Sequence, residues 1–136
     1  MASVKQLAHL CIHSRDLDAT RSFYVDALGL EPGFDFLKDG RRFGYYLKFG
    51  QNTFIEVFEG DPGEVGNINH LAIEVEDMDG VIERVRKAGH TVGDKKLGPD
   101  QSWQAWLEDP NGIRIELHEY TSDSSQLSGK PCRLDG

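Results

Sequence analysis

HLCIHSRDLDATRSFYVDALGLEP, running from His9 to Pro32, lies over HLAIEVEDMDGVIERVRKAGHTV, running from His70 to Val92, and this self-match decides how the chain is built. Both stretches open His-Leu, carry Ile three residues after the His, and place Asp seven and nine residues after it, at Asp16 and Asp18 and again at Asp77 and Asp79. A second signature closes each half: IEVFE at Ile55 to Glu59 lies over IELHE at Ile115 to Glu119. Agreement at both ends of both halves points to an internal duplication. The expected organisation is one domain, residues 1–136, made of a module at 5–60 and a module at 66–120, followed by a polar tail at 121–136.

Each module carries the same pattern of elements. QLAHLCI (Gln6 to Ile12) and INHLAIEV (Ile68 to Val75) are apolar-rich and of strand length. Asp16 and Asp77 stand where helix N-caps belong, and DLDATRSFYVDAL and DMDGVIERVRKAG space their apolar residues as helices do, the second closing on Gly89. RRFGYYLKFG and NTFIEVFE in the first half, and SWQAWLEDPNGIRIELHEY in the second, read as hairpins, with Asp-Pro-Asn-Gly providing turn chemistry. Strand, helix and about three further strands per module predict an α+β fold of two βαβββ modules, each with a helix over one sheet face. The tail from Thr121 is rich in Ser and Gly and is expected to be mobile or loosely packed.

Composition removes several function classes. With 136 residues, 38% of them hydrophobic, the chain suits a single small domain. Its formal charge is -8 and its 15 Lys and Arg are scattered, so no basic patch is expected to neutralise phosphates and nucleic acid is not an expected partner. Apolar runs are short and MASVKQLAHL lacks the layout of a signal peptide, so neither membrane spanning nor secretion is expected and the expected location is cytoplasmic. Cys11 and Cys132 are too few for a disulfide framework and read as free thiols.

The period-two alternation of strands sorts the polar residues. Leu7, His9, Cys11 and His13 share one face of the first strand, while Ala8, Leu10 and Ile12 face the helix. Glu56 shares a face with Phe54 and Phe58, and Glu116 with Arg114 and His118, whereas Ile55, Val57, Ile115 and Leu117 point to the helix. A lone strand His is commonly just a satisfied side chain, and an inward Glu is costly unless paired or metal-bound. Two His and two Glu at equivalent repeat positions, all on the faces away from the helices, form a mixed nitrogen and oxygen donor set suited to Zn, Ni, Co, Mn or Fe. Asp16, Asp18, Asp77 and Asp79 also repeat, and helix capping accounts for them. Trp106 and Phe54 are candidate pocket residues, with Trp103, Tyr45 and Tyr46 read as core or pocket; His13 and His118 either touch substrate or face solvent at strand ends.

The segments HLCIHSRDLDATRSFYVDALGL, FIEVFE, INHLAIEV and EDPNGIRIELHEY together resemble the vicinal oxygen chelate superfamily, which holds glyoxalase I, methylmalonyl-CoA epimerase, fosfomycin-resistance transferases, bleomycin-resistance proteins and extradiol dioxygenases. The resemblance covers nearly all of residues 5 to 120. It implies two βαβββ modules forming a cupped mixed sheet with helices outside, a homodimer, and metal ligands on the first and last strand of each module. Glyoxalase I, the nearest model, implies the ligand order His9, Glu56, His70, Glu116. Two positions depart from its glutathione-binding pattern: His13 stands in place of an Arg and Gly60 in place of an Asn. Epimerases carry Gln at the place of Glu56.

The activity this resemblance implies is that of a lactoylglutathione lyase-like enzyme, a lyase or isomerase that moves a proton alpha to a carbonyl through a metal-stabilised enediolate. One divalent ion per site is the implied cofactor and a small molecule the implied substrate. Glu116 is the preferred base and Glu56 its partner, because a weakly held carboxylate can leave the metal to accept a proton. Arg114 either holds an anionic substrate group or forms a surface ion pair. The alternatives are a non-enzymatic ligand-binding module of the bleomycin-resistance kind and an epimerase of the same superfamily.

Overall fold

The computed structural model describes residues 7–63, 68 and 70–134. Gln6 of the expected first strand, Asn69 of the expected fifth, the starts of both expected modules and the last two residues of the tail lie outside them. The chain divides into two compact units, Met1–Glu64 and Val65–Gly136. Among the described residues no helix is long and apolar enough to cross a membrane.

The first unit runs β1 (His9–Ser14), α1 (Leu17–Ser22), β2 (Glu31–Lys38), β3 (Arg41–Gly50) and β4 (Thr53–Glu59). Its sheet has the order β1-β4-β3-β2, with β1 parallel to β4 and the other pairs antiparallel. Asp16 caps α1, its carboxylate accepting from the Ala19 amide, and the buried Ser14 and Thr20 hydroxyls hydrogen-bond at 2.8 Å beside it. Past Ser22 the helix widens into a π turn, Phe23–Ala27, that buries Phe23, Tyr24 and Ala27 completely. Tyr45, Leu47, Ile55 and Val57, which alternate with outward residues along β3 and β4, likewise have no exposed surface. Each such side chain contributes roughly 1.5–3 kcal/mol of burial.

The second unit repeats the plan with β5 (Leu71–Glu74), α2 (Met78–Lys87), β6 (Lys96–Leu97), β7 (Trp103–Glu108) and β8 (Arg114–Glu119), in the order β5-β8-β7-β6. Met78, Ile82 and Val85 of α2 belong to its core with Ala105, Leu107, Ile115 and Leu117. Asp77 caps α2 through the Gly80 amide, and Glu119 accepts from the amides of Asp77 and Met78, placing a second carboxylate at the helix N-terminus. Gly89 follows α2 at φ 89°, a conformation that favours glycine. The Asp109 to Gly112 turn is built as its residues suggest: Asp109 accepts from the amides of Asn111 and Ile113, and Gly112 takes φ 83°. Two four-stranded mixed sheets, neither closed into a barrel, make this the α+β fold expected of a vicinal oxygen chelate protein.

Two features depart from the sequence expectations. Hydrophobic alternation does not mark β2, whose residues are mostly exposed; the signal for it is Asp39-Gly40, both at positive φ, which closes the β2–β3 hairpin. The tail is tied down over its first half: a short α3 (Ser125–Ser128) follows the buried Ser124, whose hydroxyl bonds that of Ser102 at 2.6 Å, and Thr121 donates to the Gln101 carbonyl. Ser and Thr suit loops, and here they supply hydroxyls that satisfy buried backbone and each other.

Gly44 sits where β3 passes β4, and a Cβ there would press on the Val57 carbonyl oxygen and lie 2.7 Å from Phe58 Cδ1. Backbone cannot yield as a side-chain tip can, so Gly44→Ala is expected to cost about 1–3 kcal/mol. The check is a lowered urea midpoint at unchanged m.

Candidate functional site

In each unit the parallel pairing of first and last strands sets a His beside a Glu. In the first, Cys11 pairs with Glu56 and His9 stands two residues earlier on the same face, which leaves His9 Nε2 3.9 Å from Glu56 Oε2. In the second, Ala72 pairs with Glu116, and His70, just ahead of β5, brings its Nε2 to 3.9 Å from Glu116 Oε1. The two Glu side chains are each 15% exposed and the two His 40% and 35%, so both pairs combine a largely covered carboxylate with an accessible imidazole.

An aromatic ring supports each His. Tyr46 pairs with Glu56 across β3 and β4, and its hydroxyl lies 3.3 Å from His9 Nδ1, turning Nε2 toward the Glu. Trp106 occupies the equivalent place opposite Glu116, with its ring 4.8 Å from that of His70 in an edge contact. Burial and the adjacent Glu56 carboxylate raise both the Cys11 thiol and the Tyr46 phenol above their ordinary values, keeping both as neutral groups beside Glu56.

The pairs suit two ligands of one ion. With metal bonds to His nitrogen and carboxylate oxygen of about 2.0–2.2 Å, two donor atoms on the same ion lie at most about 4.3 Å apart. Both separations of 3.9 Å fall inside that limit. Among the described residues no group of three or more His, Cys, Asp or Glu side chains is gathered to hold an ion, so each unit offers two donors.

The remaining sequence candidates lie in unlike surroundings. Phe54 stacks on Tyr46 with centroids 5.3 Å apart, and Phe34, Phe36 and Phe58 extend this into an aromatic surface on the open face of the first sheet. His13 is exposed and lies against Gly60. Arg114 packs its guanidinium 4.7 Å from the Trp106 ring centre, and the indole N–H donates to Gln104 at 2.8 Å. Tyr45 belongs to the core, its hydroxyl donating to the Leu17 carbonyl at 2.7 Å.

His118, expected either to touch substrate or to face solvent at a strand end, is buried. Its Nδ1 lies 3.2 Å from Glu116 Oε1 and its Nε2 3.4 Å from Asp100 Oδ2. The second approach is off the hydrogen-bond direction, and among the described residues Nε2 is the buried side-chain polar atom left without a hydrogen-bond partner, a condition that costs about 1–3 kcal/mol. Asp100 is a residue the sequence patterns missed. It lies in the loop between β6 and β7, and only the pairing of Gln104 with His118 brings that loop near Glu116. Asp100, Gln104, Glu116, His118 and Gln126 line an open cleft of about 590 Å³.

Burial works against the Asp100 charge, yet the Gln126 amide, the Ser102 N–H and the His118 ring together hold its carboxyl below the ordinary carboxylate range. A depressed carboxyl adds stability that is present above its unfolded value, near pH 3.9, and is lost as pH falls through the folded value. Asp100→Asn is therefore expected to flatten the fall in urea midpoint between about pH 5 and pH 3, compared with the unaltered protein.

This architecture agrees with what known proteins show. Residues 6–117 match the model of the Glyoxalase/Bleomycin resistance protein/Dioxygenase superfamily, and the chain belongs to that superfamily. It is similar to a probable lactoylglutathione lyase of Synechocystis sp., 32% identical over 130 residues that cover 85% of this chain and 96% of the relative. It is also 31% identical, over 134 residues covering 85% of this chain and 98% of the relative, to an ethylmalonyl-CoA/methylmalonyl-CoA epimerase of Cereibacter sphaeroides. Among solved structures it resembles the glyoxalase family protein from Enterococcus faecalis, with TM-score 0.70 and 27% identity over 85% of this chain and 98% of that one.

Proposed function

We propose that this protein is a metal-dependent lyase or isomerase of glyoxalase I type, in which His9, Glu56, His70 and Glu116 together hold one divalent ion drawn from Zn, Ni, Co, Mn or Fe. The observation that carries the reading is the recurrence, in both units, of a largely covered carboxylate 3.9 Å from an accessible imidazole, with an aromatic ring against each His. A largely covered carboxylate is expensive unless a cation or hydrogen bonds compensate it. Similarity to a probable lactoylglutathione lyase supports the same class.

When bound, the ion supplies Lewis-acid stabilisation of negative charge on substrate oxygens. Glu116 accepts the proton from the hydroxyl-bearing carbon next to the substrate carbonyl and returns it to the former carbonyl carbon, while the hydroxyl proton passes between the two adjacent oxygens, so that carbonyl and hydroxyl exchange places. Glu56 would remain a ligand to the ion. Trp106, Phe54 and the aromatic surface around Tyr46 provide apolar contacts, while Arg114 and His13 provide polar ones, for a small-molecule substrate; His118, expected among the substrate contacts, is buried against Glu116 instead. The working form in this reading is a homodimer in the cytoplasm. A second reading, an epimerase, has the support of the Cereibacter relative and uses the same proton chemistry without transfer to a second carbon.

Purified protein is expected to bind about one divalent ion per chain, and His70→Ala to lose most of it; stoichiometric metal in a folded His9→Ala, His70→Ala double variant would overturn the assignment. Turnover is to be sought with hemithioacetals of methylglyoxal, α-hydroxy ketones and acyl-CoA esters, following solvent deuterium at the carbon beside the carbonyl. On the substrate found, Glu116→Gln is expected to lower kcat by roughly 10² to 10⁴, and Glu56→Gln by less. Metal-loaded protein that exchanges no such proton contradicts the proton-transfer reading.

A further inference from the structure

The two units repeat their His, Glu and aromatic residues but differ beside the carboxylate, and one of those differences places a second imidazole on Glu116. Two residues beyond Glu56 stands Phe58, which packs on Phe36 and Phe43. Two residues beyond Glu116 stands His118, buried, with Nδ1 3.2 Å from Glu116 Oε1, the same oxygen that faces His70. The ring is gripped from three sides. Tyr120 meets it edge-on at 4.9 Å, Asp100 Oδ2 lies 3.4 Å from Nε2, and Glu116 takes Nδ1. Asp100 is itself fixed, accepting from the Ser102 amide at 3.1 Å and from the Gln126 side chain at 2.8 Å, and Gln126 is anchored in the tail by α3.

From this we infer that His118 is a positioning residue for Glu116: its Nδ1–H donates to Oε1 and fixes the carboxylate rotamer, with Asp100 and the C-terminal segment bracing the ring from behind. The inference rests on Glu116 being the ligand and base proposed above. A carboxylate that must both bind a cation and receive a proton gains from being aimed before either event, and partners of this kind orient ligands elsewhere. Glu56 has no imidazole at the corresponding place, so the two carboxylates of the donor set are not equivalent, and the difference falls on the one assigned as base. The C-terminal tail reaches this neighbourhood through Gln126, which donates to Asp100 at 2.8 Å.

The test compares two replacements. His118→Asn keeps an N–H donor near the position of Nδ1, whereas His118→Phe fills the space with the residue used in the first unit and donates nothing. Cobalt titration of each is expected to show His118→Phe weakened roughly ten- to hundredfold and His118→Asn recovering most of that loss. Equal weakening in both, with unchanged circular dichroism, would overturn the donor role and leave only packing. A second readout needs neither metal nor substrate: nitrogen-15 NMR of the imidazole in metal-free protein is expected to show Nδ1 protonated. A bare Nδ1 with the proton on Nε2 alone would overturn the inference. If the unaltered protein binds no cobalt while Nδ1 carries its proton, the metal reading fails and the hydrogen bond stands.

Discussion

The parallel pairing of the first and last strand in each unit is the constraint on which the rest depends. Strands β1 and β4, and likewise β5 and β8, are neighbours although a helix and two further strands separate them in the chain. That register sets Cys11 against Glu56 and Ala72 against Glu116, so a His two residues earlier on the same face arrives beside the carboxylate. A slip of one residue would turn Glu56 and Glu116 into the apolar layer under the helices and expose Ile55 and Ile115. The hydrophobic cores therefore do more than stabilise: burial of Ile55, Val57, Ile115 and Leu117 enforces the register that makes the pairs.

Similar backbones carry unlike surfaces. The open face of the first sheet is aromatic, with Phe34, Phe36, Tyr46, Phe54 and Phe58 in mutual contact. The second is polar, with Gln104, Arg114, Glu116 and His118 along its central strands. On the proposed function, duplication would supply the metal donors, and the residues that differ around Glu56 and Glu116 would give the two carboxylates unlike environments. An enzyme that uses one carboxylate as a base and keeps the other as a ligand needs that inequality.

Much of this was legible in the sequence because the duplication repeats its chemistry in register. The His-Leu openings, the Ile-Glu endings and the alternation between them led to the strands, to the helices capped by Asp16 and Asp77, and to the two His–Glu pairs. Three things were not legible. Strand β2 is mostly exposed and buries no residue fully, so periodicity marks it weakly, and Asp39-Gly40 was its clearest local signal. Asp100 sits in a loop whose approach to His118 depends on cross-strand pairing that no local pattern encodes. The tail reads as a polar linker by composition, yet its hydroxyls and Gln126 meet partners on the 98–102 loop. Polar contacts between distant segments leave no periodic trace.

Service of a single ion by both His–Glu pairs is the central claim, and proton NMR of the cobalt-substituted protein tests it most directly. Coordination through Nε2 leaves each ligand His with an exchangeable Nδ1–H close to the paramagnetic centre. Two strongly shifted, solvent-exchangeable imidazole signals are expected to grow together and saturate at one cobalt per chain, with one vanishing in His9→Gln and the other in His70→Gln. Signals that saturate in two separate steps, or a spectrum without shifted imidazole protons at full cobalt loading, would contradict it.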